Sequence, residues 1–163
     1  TKKYVRDKGE RLYRRSIYVY WKRTSPHPMM TLFDAPVRES SCVMRSRSNT
    51  ALQSLGLLNE TQRIEMSRKL AERLIASSKD DSRRLDFLFG LLASRKPTDS
   101  ERDVCEALLN KMRDRYESSQ EDATALTSQG DAPRDAKIPL TDLAAWTQLT
   151  TIVLASDVAI LMY

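Results

Sequence analysis

Only four glycines stand in the 163 residues, and that scarcity weighs against a loop-rich or turn-rich all-β fold. One histidine and two cysteines cannot supply the ligands of a closed four-coordinate zinc site. The chain has no Gly-rich phosphate loop, no paired catalytic carboxylates, and neither His-Glu-x-x-His nor Gly-x-Ser-x-Gly. An aromatic-plus-basic RNA motif and zinc-finger spacing are likewise missing. His27 lies between two prolines with no metal-ligating residue at useful spacing, so it reads as part of a surface turn. Cys42 and Cys105 leave two alternatives open, a disulfide or a pair of buried thiols. The opening Thr-Lys-Lys-Tyr-Val-Arg has no apolar signal-peptide run, and the chain reads as cut from a longer one.

What is present is a charge asymmetry. Residues 1–47 hold 12 Lys/Arg against 4 Asp/Glu, a net +8, whereas residues 48–163 hold 15 against 18, a net −3. A basic N-terminal third faces either carboxylates of its own domain or an acidic partner, an anion or a nucleic acid. The size and the 40% apolar content fit one domain, with a basic strand-and-loop segment over 1–47 and a helical core over 48–163.

Period-two alternation over 15–21 predicts a strand, with Ile17, Val19 and Trp21 on one face and Ser16, Tyr18 and Tyr20 on the other. A helical turn continuing from Glu10 is the alternative. Thr24-Ser25-Pro26-His27-Pro28 ends any regular element. Residues 29–47 read as extended or irregular, with Ser41–Met44 a short strand that could pair with the first. From residue 50 the spacing turns helical. Asn49 or Thr50 caps a helix to Leu58 that buries Ala51, Leu52, Leu55 and Leu58. Further helices follow over about 61–77 and 80–94. In the latter, Leu85, Phe87, Leu88, Phe89, Leu91 and Leu92 form so wide an apolar face that this helix should be central. Thr98-Asp99-Ser100-Glu101 has capping-box spacing and opens the next helix. Residues 118–139 read as a loop with a short helix near 122–127. A last helix runs from about Thr141 toward Met162. Its threonines and Asp157 argue against a membrane span, since a central Asp costs about 2.5–3.5 kcal/mol on insertion, and it reads instead as a helix buried against the others. The fold class is therefore mainly α: a bundle-like domain of four to five helices with a small strand or hairpin in the N-terminal third.

Arg15, Arg23, Asp34, Arg38, Arg45, Asn49 and Gln53 form a dense polar set around an irregular segment. They read as a structural clamp, with Asp34 paired to Arg15, Arg23, Arg38 or Arg45, or as an anion site. Tyr18, Tyr20 and Trp21 sit within the basic stretch and are candidate interface residues, because Trp, Tyr and Arg carry most interface energy.

These residues also carry a resemblance. Arg14-Arg15-Ser16-Ile17-Tyr18 with Lys22-Arg23, Phe33-Asp34-Ala35-Pro36, Ser41-Cys42 with Arg45, and Asn49-Thr50-Ala51-Leu52-Gln53-Ser54-Leu55 with Leu57-Leu58-Asn59 are the matching stretches. Weaker matches are Arg68 with Ala71-Glu72-Arg73, Arg95 with Pro97, and Ala145-Trp146 with Asp157. Together they resemble the C-terminal domain of unknown function of large planctomycete proteins that often carry a cytochrome-c-like module. The chain departs from that family at Ala51, where Pro is usual, at Ser54, where Ala is usual, and over 155–159, where the family has Asn-Leu-Asp-Glu-Phe. The resemblance implies a module of an exported, multidomain bacterial protein, periplasmic or extracellular, with no established activity and no catalytic residues to carry over. A haem in such a parent would attach at a Cys-x-x-Cys-His elsewhere; this chain has none, and no cofactor or metal is expected in it.

The leading expectation is a non-catalytic helical module docking onto upstream domains of the same polypeptide, with neither a nucleic acid nor a membrane span. An alternative is part of an enzyme acting on polysaccharides, its cleft completed by an upstream domain. A weaker third reading is nucleic-acid or anion binding through the basic segment.

Overall fold

The computed structural model describes residues 4–22, 24–37 and 39–160. The architecture is mainly α. The helices are α1 (Pro28–Leu32), α2 (Ala51–Asn59), α3 (Thr61–Ser77), α4 (Asp81–Ala93), α5 (Asp99–Ser118), α6 (Gln120–Thr127), α7 (Leu140–Leu154) and α8 (Asp157–Ile160), preceded by short 3-10 turns at Gly9–Tyr13 and Ser16–Tyr18. The chain divides into two compact units, Thr1–Leu57 and Leu58–Tyr163. Among the described residues no helix is long and apolar enough to cross a membrane.

The expected β element is not there: no strand occurs among the described residues. Residues 15–19 curl instead, Tyr18 N–H donating to the Arg15 carbonyl at 2.9 Å and Val19 N–H to that of Ser16 at 3.1 Å. Alternation sets side-chain facing, but a strand also needs a neighbour to take its backbone bonds. The intended neighbour, Ser41–Met44, is exposed and irregular. Nor is 29–47 wholly irregular. His27 Nδ1 accepts the Met29 N–H at 3.2 Å and so caps α1, whose first residue is Pro28, where a missing N–H does no harm.

In the C-terminal unit the central helix is α7, not α4. It buries Leu143, Ala144, Ala145, Trp146, Thr147, Leu149, Thr150, Thr151 and Val153, and α3, α5 and α6 pack around it. Its threonines tolerate burial because their hydroxyls donate backward: Thr147 to the Leu143 carbonyl at 2.7 Å, Thr150 to Trp146 at 2.8 Å and Thr151 to Thr147 at 2.8 Å. Each fully buried Leu contributes about 1.5–3 kcal/mol. On α4, Leu85, Leu88 and Phe89 are buried, but Leu91 is exposed. The last helix also stops short of Met162. Ala155 N–H closes on the Thr151 and Ile152 carbonyls, and α8 restarts at Asp157.

Two polar devices hold this unit. A ring of alternating charge joins α4, α5 and α7. Arg113 donates to Asp81 at 2.6 Å and to Asp142 at 2.6 Å, while Arg84 donates to Asp81 at 2.8 Å and lies 3.5 Å from Asp142. The Arg84 guanidinium also stands over the Trp146 ring, 5.6 Å from its centroid. The second device is a polar stripe on α3 that straps residues 129–135. Glu65 accepts Asp131 N–H at 2.5 Å, buried Arg68 donates to the Ala132 carbonyl at 2.5 Å, and Glu72 accepts Asp135 N–H at 3.1 Å. Gly130 turns this strap at φ 91°, and a Cβ there would overlap the Glu65 carboxylate. The capping box at α5 forms as the spacing predicts, with Arg95 forking onto Glu101 by two bonds of 2.7 Å.

Two tests follow from this packing. Gly130→Ala should destabilise the chain by about 2–4 kcal/mol in chemical denaturation. Gly90→Ala, inside α4 where an added Cβ meets nothing within 4 Å, should stabilise it by about 0.5–1 kcal/mol. Glu101 is held at a pKa of about 2, below its ordinary 4.5, chiefly by the Arg95 bonds and then by Thr98. A depressed carboxylate stabilises the fold fully above its unfolded pKa and loses that effect as pH falls through the folded one. The stability gap between wild type and Glu101→Gln should therefore be widest near neutrality and close between pH 4.5 and about 2.

Candidate functional site

The N-terminal unit converges on residues 33–53. Thr50-Ala51-Leu52-Gln53 is a capping box: Thr50 Oγ1 accepts the Gln53 N–H at 3.3 Å and Gln53 Oε1 accepts the Thr50 N–H at 3.1 Å. Thr50, not Asn49, is therefore the cap of α2. The Gln53 amide has donors left, and Nε2 donates to the Leu32 carbonyl at 2.9 Å and to Ser48 Oγ at 2.9 Å. Gln53 thus ties the end of α1 to the start of α2, and it is the only buried residue among those described in Thr1–Leu57.

Asp34 sits at φ 55°, a left-handed conformation that Asp tolerates better than most residues. Its Oδ2 accepts both the Ser48 hydroxyl at 2.5 Å and the Ser48 N–H at 2.9 Å. These bonds, led by the hydroxyl and assisted by the Arg45 charge and Gln53, hold its pKa below the usual carboxylate range. Arg45 meets the same turn through the backbone. Its Nε donates to the Asp34 carbonyl at 2.9 Å and its Nη2 to the Phe33 carbonyl.

Of the sequence-predicted cluster, then, Asp34, Arg45 and Gln53 come together, with Ser48 as the joining residue. Among the described residues no ion pair joins Arg15 to Asp34; Arg15 is exposed and lends its carbonyl to Tyr18. Asn49 is exposed and takes no part in this network. Arg23 and Arg38 lie outside the described residues. Tyr18 and Tyr20 are exposed and Trp21 is half-buried. Ser48 carried no pairing signal in the sequence, whereas the spacing of Thr50 and Gln53 did. Cys42 is exposed and Cys105 buried, and both are free thiols, so neither a disulfide nor a pair of buried thiols describes them.

Between these bonds and residues 43–47 lies an open pocket of about 780 Å³, lined by Phe33, Asp34, Val43, Met44, Arg45, Ser46, Arg47, Ser48 and Gln53. It combines an apolar lip with one hydrogen-bonded carboxylate and two guanidinium groups. That set suits recognition of an apolar or anionic group. Proton transfer through a pair of carboxylates would need a second acid. No group of three His, Cys, Asp or Glu among the described residues could hold a metal ion.

A family model described as PSD1, protein of unknown function (DUF1553), matches residues 1–109, which include this entire site. No curated protein and no solved structure matches the chain.

Gln53→Ala removes one capping bond and the bonds that the Leu32 carbonyl and Ser48 Oγ accept from its amide. It should cost about 2 kcal/mol and raise amide exchange across α2. Leu52→Ser, on the exposed side of the same helix, should cost about 0.5 kcal/mol or less.

Proposed function

We propose that this chain, which belongs to the PSD1 family of proteins of unknown function, is a non-catalytic helical module that docks onto other domains of an exported, multidomain protein. The reading is carried by uncovered apolar surface. Among the described residues of Thr1–Leu57 no apolar side chain is buried, while Ile17 is 75%, Tyr20 83% and Met44 88% exposed. Leu52 and Leu55, expected on the buried side of α2, are also exposed. Ordering a residue costs about 1–2 kcal/mol, and burial of apolar area is the main term that offsets it. A segment that fully buries none of its described apolar side chains is suited to being covered by another surface. Its net +8 selects an acidic one, and its tyrosines, Trp21 and arginines are the residue types of binding hot spots.

The likeness of its motifs to planctomycete proteins with a cytochrome-c-like module supports a periplasmic or extracellular setting, any haem being bound elsewhere in the parent. A polysaccharide-cleaving role draws on the same pocket, but Asp34 is its one carboxylate, so the second acid of glycoside chemistry would have to come from another domain.

Limited trypsin digestion tests the docking. Cleavage after Arg14, Arg15, Arg45 and Arg47 should be fast in this chain alone and strongly suppressed in the longer parent polypeptide. Tyr20→Ala with Trp21→Ala should restore it there. Equal cleavage in both contexts would remove the reading.

A further inference from the structure

We infer that the pocket between Phe33 and Arg47 receives an acidic peptide segment with an apolar anchor, supplied by the docking partner. The inference rests on the docking reading and names what the partner must present. Arg45 is spent on the Phe33 and Asp34 carbonyls. Asp34 Oδ2 is occupied by the hydroxyl and N–H of Ser48, and Ser48 Oγ also accepts from Gln53. Arg47 lines the same pocket, is exposed, and makes no hydrogen bond or ion pair among the described residues. Asp34 Oδ1 takes no part in these bonds, so the groups left open are that oxygen and the Arg47 guanidinium, of which the guanidinium is the charged donor a ligand can use. An arginine fork is matched by a carboxylate, to which it donates two parallel bonds.

Beside it, Val43 and Met44 are 101% and 88% exposed. Methionine on a binding surface adapts to varied apolar side chains. A volume of about 780 Å³ accommodates several side chains at once. The net +8 of residues 1–47 favours an acidic segment over a basic one. A nucleic acid fits less well. It wants a track of cations for successive phosphates and open ring faces for bases, whereas this pocket holds one uncommitted arginine, the Asp34 carboxylate and a single half-buried ring, Phe33.

The probe is a short fluorescent peptide in which two leucines stand among aspartates and glutamates, titrated against the whole chain by anisotropy. Arg47→Glu and Met44→Ser should each weaken binding about tenfold or more, with far-UV circular dichroism unchanged because both side chains are exposed. Arg14→Glu makes the same charge change at an exposed site outside the pocket and should alter affinity by no more than about twofold. Replacing the leucines by serine should abolish most of the binding, and single-stranded RNA should compete poorly. The inference is overturned if the peptide does not bind, if Arg14→Glu costs as much as Arg47→Glu, if the serine peptide binds equally, or if RNA displaces it as well as unlabelled peptide does. Should trypsin protection persist in the parent protein while these pocket variants bind normally, docking stands and the partner enters elsewhere.

Discussion

Gln53 holds the N-terminal unit with bonds that run to three segments at once. Its amide oxygen caps its own helix, while its nitrogen reaches back to the last carbonyl of α1 and across to Ser48. Ser48 in turn fixes the Asp34 carboxylate, and the turn at Asp34 positions the carbonyls that Arg45 grips. A buried amide meets its hydrogen-bonding needs only in one arrangement, so the bond set defines the conformation more sharply than apolar contacts of the same area would. The pocket is the space that this arrangement leaves open, and its chemistry follows from which groups the bonds consume.

The two units are stabilised by different physics. In Leu58–Tyr163 a buried helix, ringed by others and pinned by the Asp81, Arg84, Arg113 and Asp142 charges, satisfies its own apolar and polar demands. The described residues of Thr1–Leu57 rely on polar bonds, with many of the apolar ones exposed and the rest only partly buried. That contrast, together with the concentration of positive charge in the less self-sufficient unit, is the physical ground for the proposal that it serves recognition.

Legibility in the sequence followed the same division. Where apolar residues repeat at helical spacing with a capping signal, as in Thr61–Ser77 and at Thr98 with Glu101, elements and caps could be read directly. The strand over 15–21 could not be judged from alternation alone, because strand formation depends on a partner, and none is present among the described residues. That the last helix is buried against the others was legible from its single charge; that it, rather than α4, is central was not, because its threonines become core residues only once their hydroxyls bond to the preceding turn. Asp34 and Gln53 were visible as residues out of place in a core-building region. Ser48 was not, since a serine's partner is set by chain geometry rather than by charge. The Asp81 and Arg113 ring was hidden because its members are 32 residues apart.

Hydroxyl-radical footprinting reads the central claim at the level of side chains. With this chain alone, Tyr18, Tyr20 and Met44 should be labelled at the rate of solvent-open residues, and in the longer polypeptide that the proposed docking requires their labelling should fall severalfold while that of exposed Val104 on α5 stays constant. Unchanged labelling of the three residues in the parent would contradict the account.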